Sequence, residues 1–175
     1  MVLAMALLLL LVITMMGLGA ARSALMQQKL VTHQYDRHLA FEHAEAALRA
    51  AQARISAHPE DVARHCQQKS VVCLSNPFND PRLPDGSVHT VGSGTDEGQF
   101  IRASVASGQP QYVIEDMGSW ADPDSPAGVN QSANAHDYAA RNPVSTYYRI
   151  TTRSADPAST DGRMVVVLQA TIRQH

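Results

Sequence analysis

The chain begins with an unbroken apolar run. Residues 1–21 contain no charged side chain, and the first charge is Arg22. At ~1.5 Å per residue, a helix over this run spans roughly 31 Å, about the thickness of the hydrocarbon core of a bilayer. A cleaved signal peptide is the alternative, but such peptides have a basic start and an apolar core of roughly 7–15 residues. We therefore predict a retained transmembrane helix over residues 1–21.

The helical pattern continues well beyond the apolar run. Between Arg22 and Pro59 there is no Gly or Pro, and the stretch is rich in Ala, Leu, Gln, Arg and Glu, which favour helices. Pro59 ends the pattern, because the residue before a proline avoids the helical region. We predict one helix from about residue 2 to 57, of which residues 22–57 form an amphipathic half.

This amphipathic half is predicted to have an apolar and a polar face. Apolar side chains recur at steps of three and four along one stripe, at Phe41, Ala44, Leu48, Ala51 and Ile55. The opposite face carries Arg37, Glu42, His43, Arg49 and Arg54. The apolar stripe needs a partner surface, so we expect it to form the core of a globular domain.

Residues 58–175 are predicted to form that domain. Turn-forming residues dominate 58–98 and 116–143, which we expect to be loops, with a short strand in PQYVIED between them. Two further strands follow at 145–153 and 164–173. In the first, one face carries Tyr148, Ile150 and Thr152, and the other carries Tyr147, Arg149 and Thr151. In the second, the apolar face carries Met164, Val166, Leu168, Ala170 and Ile172. With Asp161-Gly162 in the turn, these strands predict an antiparallel hairpin covering the helix, and the fold class is α+β.

The two cysteines are expected to pair. Six residues separate Cys66 from Cys73, a spacing that fits neither the C-x2-C redox motif nor the C-x-x-C-H haem motif. His65 beside Cys66 could be a metal ligand, but no matching pair lies at zinc-finger spacing. In an oxidising compartment a structural disulfide is the simplest outcome. His89, His136 and scattered Asp residues lie in no nucleophile or metal motif, so we expect no catalytic, metal or cofactor site.

Composition and charge narrow the class of protein. With 45% hydrophobic and 17% charged residues, the chain is too apolar to be disordered. A net charge of −2 argues against a nucleic-acid-binding protein, which usually has a basic excess. Arg22 and Lys29 follow the apolar run, and cations favour the cytoplasmic side of a membrane. Taken alone they would keep the domain in the cytoplasm, so we expect a basic leader upstream of Met1.

Five segments of the chain occur in a distinctive order: ALLLLLVITMMGLGAARSALMQQ, DRHLAFEHAEAALRAA, YVIE, YYRITTR and VVVLQATIR. The first two resemble the N-terminal helix of the PilX-type minor pilins of type IV pili, and the other three resemble the C-terminal strands of that family. The resemblance covers roughly the first 55 residues, the last 30 and one strand between them. In residues 58–110 and 116–143 we recognise no resemblance.

The resemblance implies a structural subunit that is stored in the membrane and then enters the pilus. Expected partners are other minor pilins, the major pilin, the inner-membrane assembly platform, a large tip adhesin and the lipid bilayer. Family precursors carry a short basic leader ending in Gly, and Met1 aligns near the start of the mature chain. Major pilins have Glu at the fifth mature position, where this register has Met5.

Three functions remain open at this stage. The first is a minor pilin that helps to prime pilus assembly at or near the tip, with roles in adhesion and twitching motility. The second is a minor pseudopilin of type II secretion, which shares the fold. The third, from another class, is a membrane-anchored periplasmic enzyme, which the lack of a catalytic motif disfavours.

Overall fold

The computed structural model describes residues 2–106, 108–121 and 144–174, with the backbone alone at 18–22 and 121. It contains one long helix and a four-stranded antiparallel sheet, which confirms the α+β class. The chain divides into two compact units between Leu39 and Ala40.

The helix α1 extends from Val2 to Ala57, as predicted. It ends where the backbone N–H of His58 donates to the Arg54 carbonyl and Pro59 follows. In the first unit, the large hydrophobic side chains from Val2 to Met16 are exposed. A search of the described residues for a helix both long enough and apolar enough to cross a membrane finds none.

In the second unit, the buried face of α1 is made mostly of alanine. The buried helix residues are Ala40, His43, Ala44, Ala46, Ala47, Ala50, Ala51 and Ile55. The expected burial of Ala44, Ala51 and Ile55 is confirmed, and Leu48 packs at the edge of the core. Two expectations were wrong, because Phe41 is 44% exposed and His43, which we expected on the polar face, is only 3% exposed.

The sheet has the strand order β1-β2-β3-β4. Its strands are β1 (His89–Thr90), β2 (Gln111–Ala121), β3 (Val144–Arg153) and β4 (Val167–Gln174). One face, with Tyr112 and Ile114 from β2 and Tyr148 and Ile150 from β3, shares a core cluster with the alanine face of α1. Small helix side chains leave room for these larger ones, which is how the two elements share a single core.

Strand boundaries differ from the prediction in three places. β1 lies in a segment expected to be a loop. β2 continues to Ala121 instead of ending at Asp116, because an irregularity between Asp116 and Gly118 lets the ladder resume. Gly118 has a φ of +104°, which a residue with a side chain rarely adopts. β4 begins at Val167, so Met164 and Val166 lie outside it, and Met164 is exposed.

The hairpin of β3 and β4 is confirmed. The two strands pair antiparallel, with Ile150 opposite Ala170. In the connection, Asp161 and Gly162 have φ values of +48° and +79°. Asp and Gly tolerate this left-handed region better than other residues do, so the Asp-Gly signal marks the turn correctly.

Candidate functional site

The loop that follows the helix lies against the second face of the sheet and covers part of it. Side chains alternate along a strand, so Arg149 points away from the helix-facing Tyr148 and Ile150. Arg149 Nη2 donates to the Leu74 carbonyl at 2.8 Å, and Gln169 Nε2 donates to the Ser75 carbonyl at 2.8 Å. These contacts hold the loop against the sheet, where Glu115 of β2 and Thr151 of β3 are buried, while Gln169 and Thr171 on the same face of β4 stay exposed.

The start of this loop also pairs with the edge of β2. The backbone N–H of Ala63 donates to the Ile114 carbonyl at 2.8 Å, and that of Cys66 donates to the Asp116 carbonyl at 2.7 Å. In return, the N–H of Asp116 donates to the Arg64 carbonyl at 3.0 Å. This pairing places Arg64 and Cys66 beside Glu115 of β2.

Cys66 and Cys73 form a disulfide in the structure, with the two sulfurs 2.02 Å apart. The sequence predicted this pairing. The bond closes a short loop that contains Ser70, Val71 and Val72. Cys66 Sγ also lies 3.9 Å from Glu115 Oε1, which places the disulfide next to a buried carboxylate.

That carboxylate belongs to a group of charged side chains that we call the buried ion cluster: Arg64, Asp80, Arg82, Glu115 and Arg149. Arg64 Nε donates to Glu115 Oε1 at 2.8 Å, and Arg64 Nη1 donates to Asp80 Oδ2 at 2.6 Å. Arg149 contacts the other oxygen of Glu115, with Nη2 at 2.7 Å and Nε at 2.9 Å. Arg82 completes the cluster from the surface, with Nε at 3.3 Å from Asp80 Oδ1.

These ion pairs differ from surface salt bridges because most of their charged groups are buried. The Glu115 residue is 0% exposed, and the Arg64 side chain is 6% exposed. Charged groups removed from water need partners, because their desolvation is not otherwise compensated. Glu115 is accordingly bound by two guanidinium groups, which are able to contact both oxygens of one carboxylate.

The pKa values follow from these contacts. Hydrogen bonds from the Arg64 guanidinium, and then from the Arg82 backbone, lower the pKa of Asp80 to about 2. Burial opposes the charged form of Arg64, but hydrogen bonds to Asp80 and Glu115 outweigh it and raise its pKa. Both groups therefore stay charged across the physiological range.

The histidines weighed in the sequence analysis lie in separate places. His65 Nδ1 is 2.7 Å from Asp116 Oδ2, and His89 stacks on Tyr112 with ring centroids 5.3 Å apart. His136 lies outside the described residues. Neither described histidine adjoins a nucleophile in these contacts.

A search of the described residues for three clustered metal-ligand side chains finds Cys66, Cys73 and Glu115. The two sulfurs are joined to each other, so they offer no thiolate to a metal. Glu115 is already bound by two arginines. This chemistry is structural.

Sequence reasoning missed the ion cluster. Arg64 and Glu115 are 51 positions apart, and no spacing rule connects them. One signal was available, since Glu115 follows the apolar triplet Tyr112 to Ile114 within a strand that the domain needs for its core. A carboxylate at such a position requires a cationic partner, and the outward-facing Arg149 of the adjacent strand was a candidate.

A long N-terminal helix whose last turns share a core with an antiparallel sheet is the architecture of a type IV pilin-like protein. Comparison with family models gives the particular family. Residues 1–49 match the model described as PilX N-terminal, and residues 43–174 match type IV pilus assembly protein PilX C-term. The chain belongs to the PilX family of type IV pilus assembly proteins, which confirms the resemblance and extends it over residues 58–110 and 116–143. No curated protein and no solved structure was found to match it.

Proposed function

We propose that this chain is a minor pilin that helps to prime assembly of the type IV pilus and lies at or near its tip. The observation that carries the proposal is the match of both PilX models, which together cover residues 1–174. Family membership supports a structural role in the pilus or the cell envelope, alongside other pilins. The description of the family as a pilus assembly protein favours a pilus over a secretion pseudopilus.

The anchor in this proposal is the apolar run at residues 1–21. It holds the subunit in the inner membrane, with residues 22–57 continuing the helix and 58–175 forming a periplasmic domain. During assembly the helix leaves lipid for a core of other pilin helices, so lipid contacts are replaced by protein contacts. The assembly platform, the major pilin, other minor pilins and a tip adhesin are the partners that this pathway requires.

The proposed tip position rests on the lack of an acidic side chain in the apolar run. A carboxylate in an apolar environment is costly unless it meets a partner, such as the terminal amine of the subunit ahead. A subunit at the tip has no subunit ahead of it. Met5 in place of an acid suits that position, and adhesion and twitching motility would follow from a role in forming fibres.

The test is complementation of the encoding bacterium after deletion of this gene. Deletion should reduce the number of surface pili and the twitching zone, and the wild-type chain should restore both. Leu9→Arg should fail to restore them, because a cation at the centre of a membrane helix costs about 2.5–3.5 kcal/mol on insertion scales. Leu9→Met is the matched control and should restore them. Normal piliation in the deletion strain would contradict the proposal.

The tip position needs its own variant. Met5→Glu introduces an acid that, at the tip, has no subunit ahead of it to supply a terminal amine. We therefore expect purified fibres to contain less of the Met5→Glu variant than of the Met5→Leu variant. Immunogold labelling of the wild-type chain should mark fibre ends. Labelling along the whole shaft, or equal incorporation of Met5→Glu and Met5→Leu, would contradict a tip location.

A further inference from the structure

Beside the buried ion cluster lies a small cleft of about 180 Å³. The residues that line it are Arg64, Ser70, Val71, Val72, Arg82 and Pro84. Three of them lie between the two cysteines, so the disulfide restrains half of the wall. The cleft combines two guanidinium groups and one hydroxyl with three apolar side chains.

One lining residue has unused hydrogen-bonding capacity. Arg64 donates from Nε to Glu115 and from Nη1 to Asp80. Its Nη2 is buried, and among the described residues no group accepts a hydrogen bond from it. A buried charged donor without an acceptor is costly, so Nη2 is the part of this guanidinium that can take a further acceptor.

Charge counting points to the same kind of partner. The buried ion cluster contains three guanidinium groups, on Arg64, Arg82 and Arg149, and two carboxylates, on Asp80 and Glu115. Arg64 and Arg149 balance the two buried carboxylates, so the excess of +1 lies on Arg82, whose side chain is 59% exposed. Both carboxylates already bind arginines, and the two arginines of the cluster that line the cleft are Arg64 and Arg82. An anion in the cleft would neutralise that excess.

We propose that this cleft binds a carboxylate carried on an aliphatic stem. The carboxylate would accept hydrogen bonds from Arg64 and pair with Arg82, since guanidinium groups bind carboxylates with well-matched geometry. The methylene groups would lie against Val71, Val72 and Pro84. These apolar walls favour a carboxylate on a hydrocarbon stem over inorganic phosphate, which has no apolar part to bury.

Entry of the ligand requires movement at the rim. Arg64 Nη2 has almost no exposed surface. The Arg82 side chain is 59% exposed, and its contact with Asp80 is long, at 3.3 Å. It therefore has room to move away while the ligand enters and then to return over it.

The carboxylate has two sources, an acidic side chain of another protein or a free aliphatic acid. The site consists of this chain's own residues and does not depend on the pilus role.

Binding is tested on the full chain in detergent micelles, by ¹⁵N NMR of the arginine Nε–H groups at constant ionic strength. The probes are N-acetyl-glutamate amide, which represents a side chain, butyrate, which represents a free acid, and inorganic phosphate. N-acetyl-glutamine amide is the uncharged match for the first probe. We expect saturable shifts of the Arg64 and Arg82 signals with the glutamate or butyrate probe and none with the glutamine probe.

The sources separate by which probes bind. Binding of the glutamate probe supports a side chain as the ligand, and binding of butyrate alone supports a free acid. Arg82→Gln should weaken binding by about tenfold or more, since a hydrogen bond to a charged group is worth ~1.5–3 kcal/mol. Arg49→Gln, at an exposed arginine on α1, is the control and should bind as wild type.

Two results would overturn the proposal. The first is no saturable shift with either carboxylate while the folded spectrum is intact. The second is a loss of specificity, seen either as phosphate binding to the cleft as tightly as the carboxylates or as the Arg82→Gln variant binding the carboxylate probe as tightly as wild type. Either outcome would mean that the cleft is a non-specific cationic patch. Because the readout is binding in solution, it stands apart from any defect in pilus assembly.

Discussion

Replacing Glu115 by glutamine should destabilise the globular domain more than any surface charge change. Glutamine keeps the size of the side chain and leaves no cavity, so the change isolates the charge. It leaves Arg64 and Arg149 facing a neutral amide at a position that is 0% exposed. The buried charges of Arg64, Arg149, Asp80 and Glu115 balance in the wild type, and the change leaves them with an excess of +1.

The size of the effect follows from the remaining contacts. Removing one partner of a buried ion pair typically costs ~3–5 kcal/mol. Arg64 keeps its contact with Asp80 and Arg149 keeps the Leu74 carbonyl, so we expect the lower end, about 3 kcal/mol. For a domain of this size, roughly 3–4 °C per kcal/mol gives a fall in Tm of about 10 °C. Combining Glu115→Gln with Arg149→Met removes one unpaired cation and should recover part of the loss.

The measurement is thermal and urea unfolding of the full chain in detergent, followed by tryptophan fluorescence. Trp120 is the single tryptophan and lies in β2, so its signal reports on the sheet. Glu45→Gln removes an exposed partner of Arg49 on α1 and should change stability by no more than ~0.5 kcal/mol. A loss below about 1 kcal/mol for Glu115→Gln would refute the assignment of a tightly coupled buried cluster.

Three further predictions concern the disulfide, the core and pH. Cys66 and Cys73 should resist alkylation in the denatured, unreduced protein, and replacing both by serine should lower stability by about 2.5 kcal/mol, because the closed loop restricts the unfolded chain. Ala47→Glu should unfold the domain by burying a charge at a fully buried position, whereas Gln52→Glu, exposed on the same helix, should not. Burial lowers the pKa of His43 below 6.5, outweighing the opposing charge of a neighbouring glutamate. Stability should therefore be full above about pH 6.5 and fall below it, and His43→Gln should reduce that fall in urea titrations.

Each of these has a result that would contradict it. Labelling of both thiols without reductant would show that the cysteines are unpaired. Equal melting of Ala47→Glu and Gln52→Glu would place residue 47 outside the core. For the pH series, His89 also has a pKa lowered by burial, so some acid loss should persist in the variant. An unchanged profile for His43→Gln would exclude His43 as a source of that loss.

The helix was predictable to its last residue because its signals are local. No Gly or Pro interrupts residues 22–58, and Pro59 ends the helix. Which residues of the helix face the core was harder to predict. Alanine is frequent all around this part of the helix, so the sequence shows little contrast between a buried and an exposed face. Phe41 was assigned to the buried stripe because its side chain is large and apolar. His43 is buried instead, with its ring edge-to-face against that of Phe100 and the ring centroids 4.8 Å apart.

The sheet shows the same division between local and distant information. The β3–β4 hairpin was predictable from alternation and an Asp-Gly turn, both of which lie within one short stretch. The extension of β2 past Asp116 was not, because it depends on pairing with β3 after an irregularity at Gly118. Apart from the local Arg82–Asp80 pair, the buried ion cluster depends on contacts across 16 to 51 positions, which no local pattern encodes.

The two faces of the sheet are held against their neighbouring segments by different interactions. The face toward α1 is buried by apolar side chains, because a regular helix presents a continuous alanine surface. The loop on the other face has little regular structure, and a segment of that kind has few apolar side chains to hold it in one place. Arginine contacts are directional, so Arg64 and Arg149 specify which carbonyls and carboxylates the loop must meet. Buried ion pairs add little net stability over apolar packing, so we infer that the main effect of the cluster is to fix the position of the loop. The proposed carboxylate site follows from this arrangement. The cluster has three arginines and two acids, and Arg82, the arginine at the surface, is the cation in excess that can bind a partner.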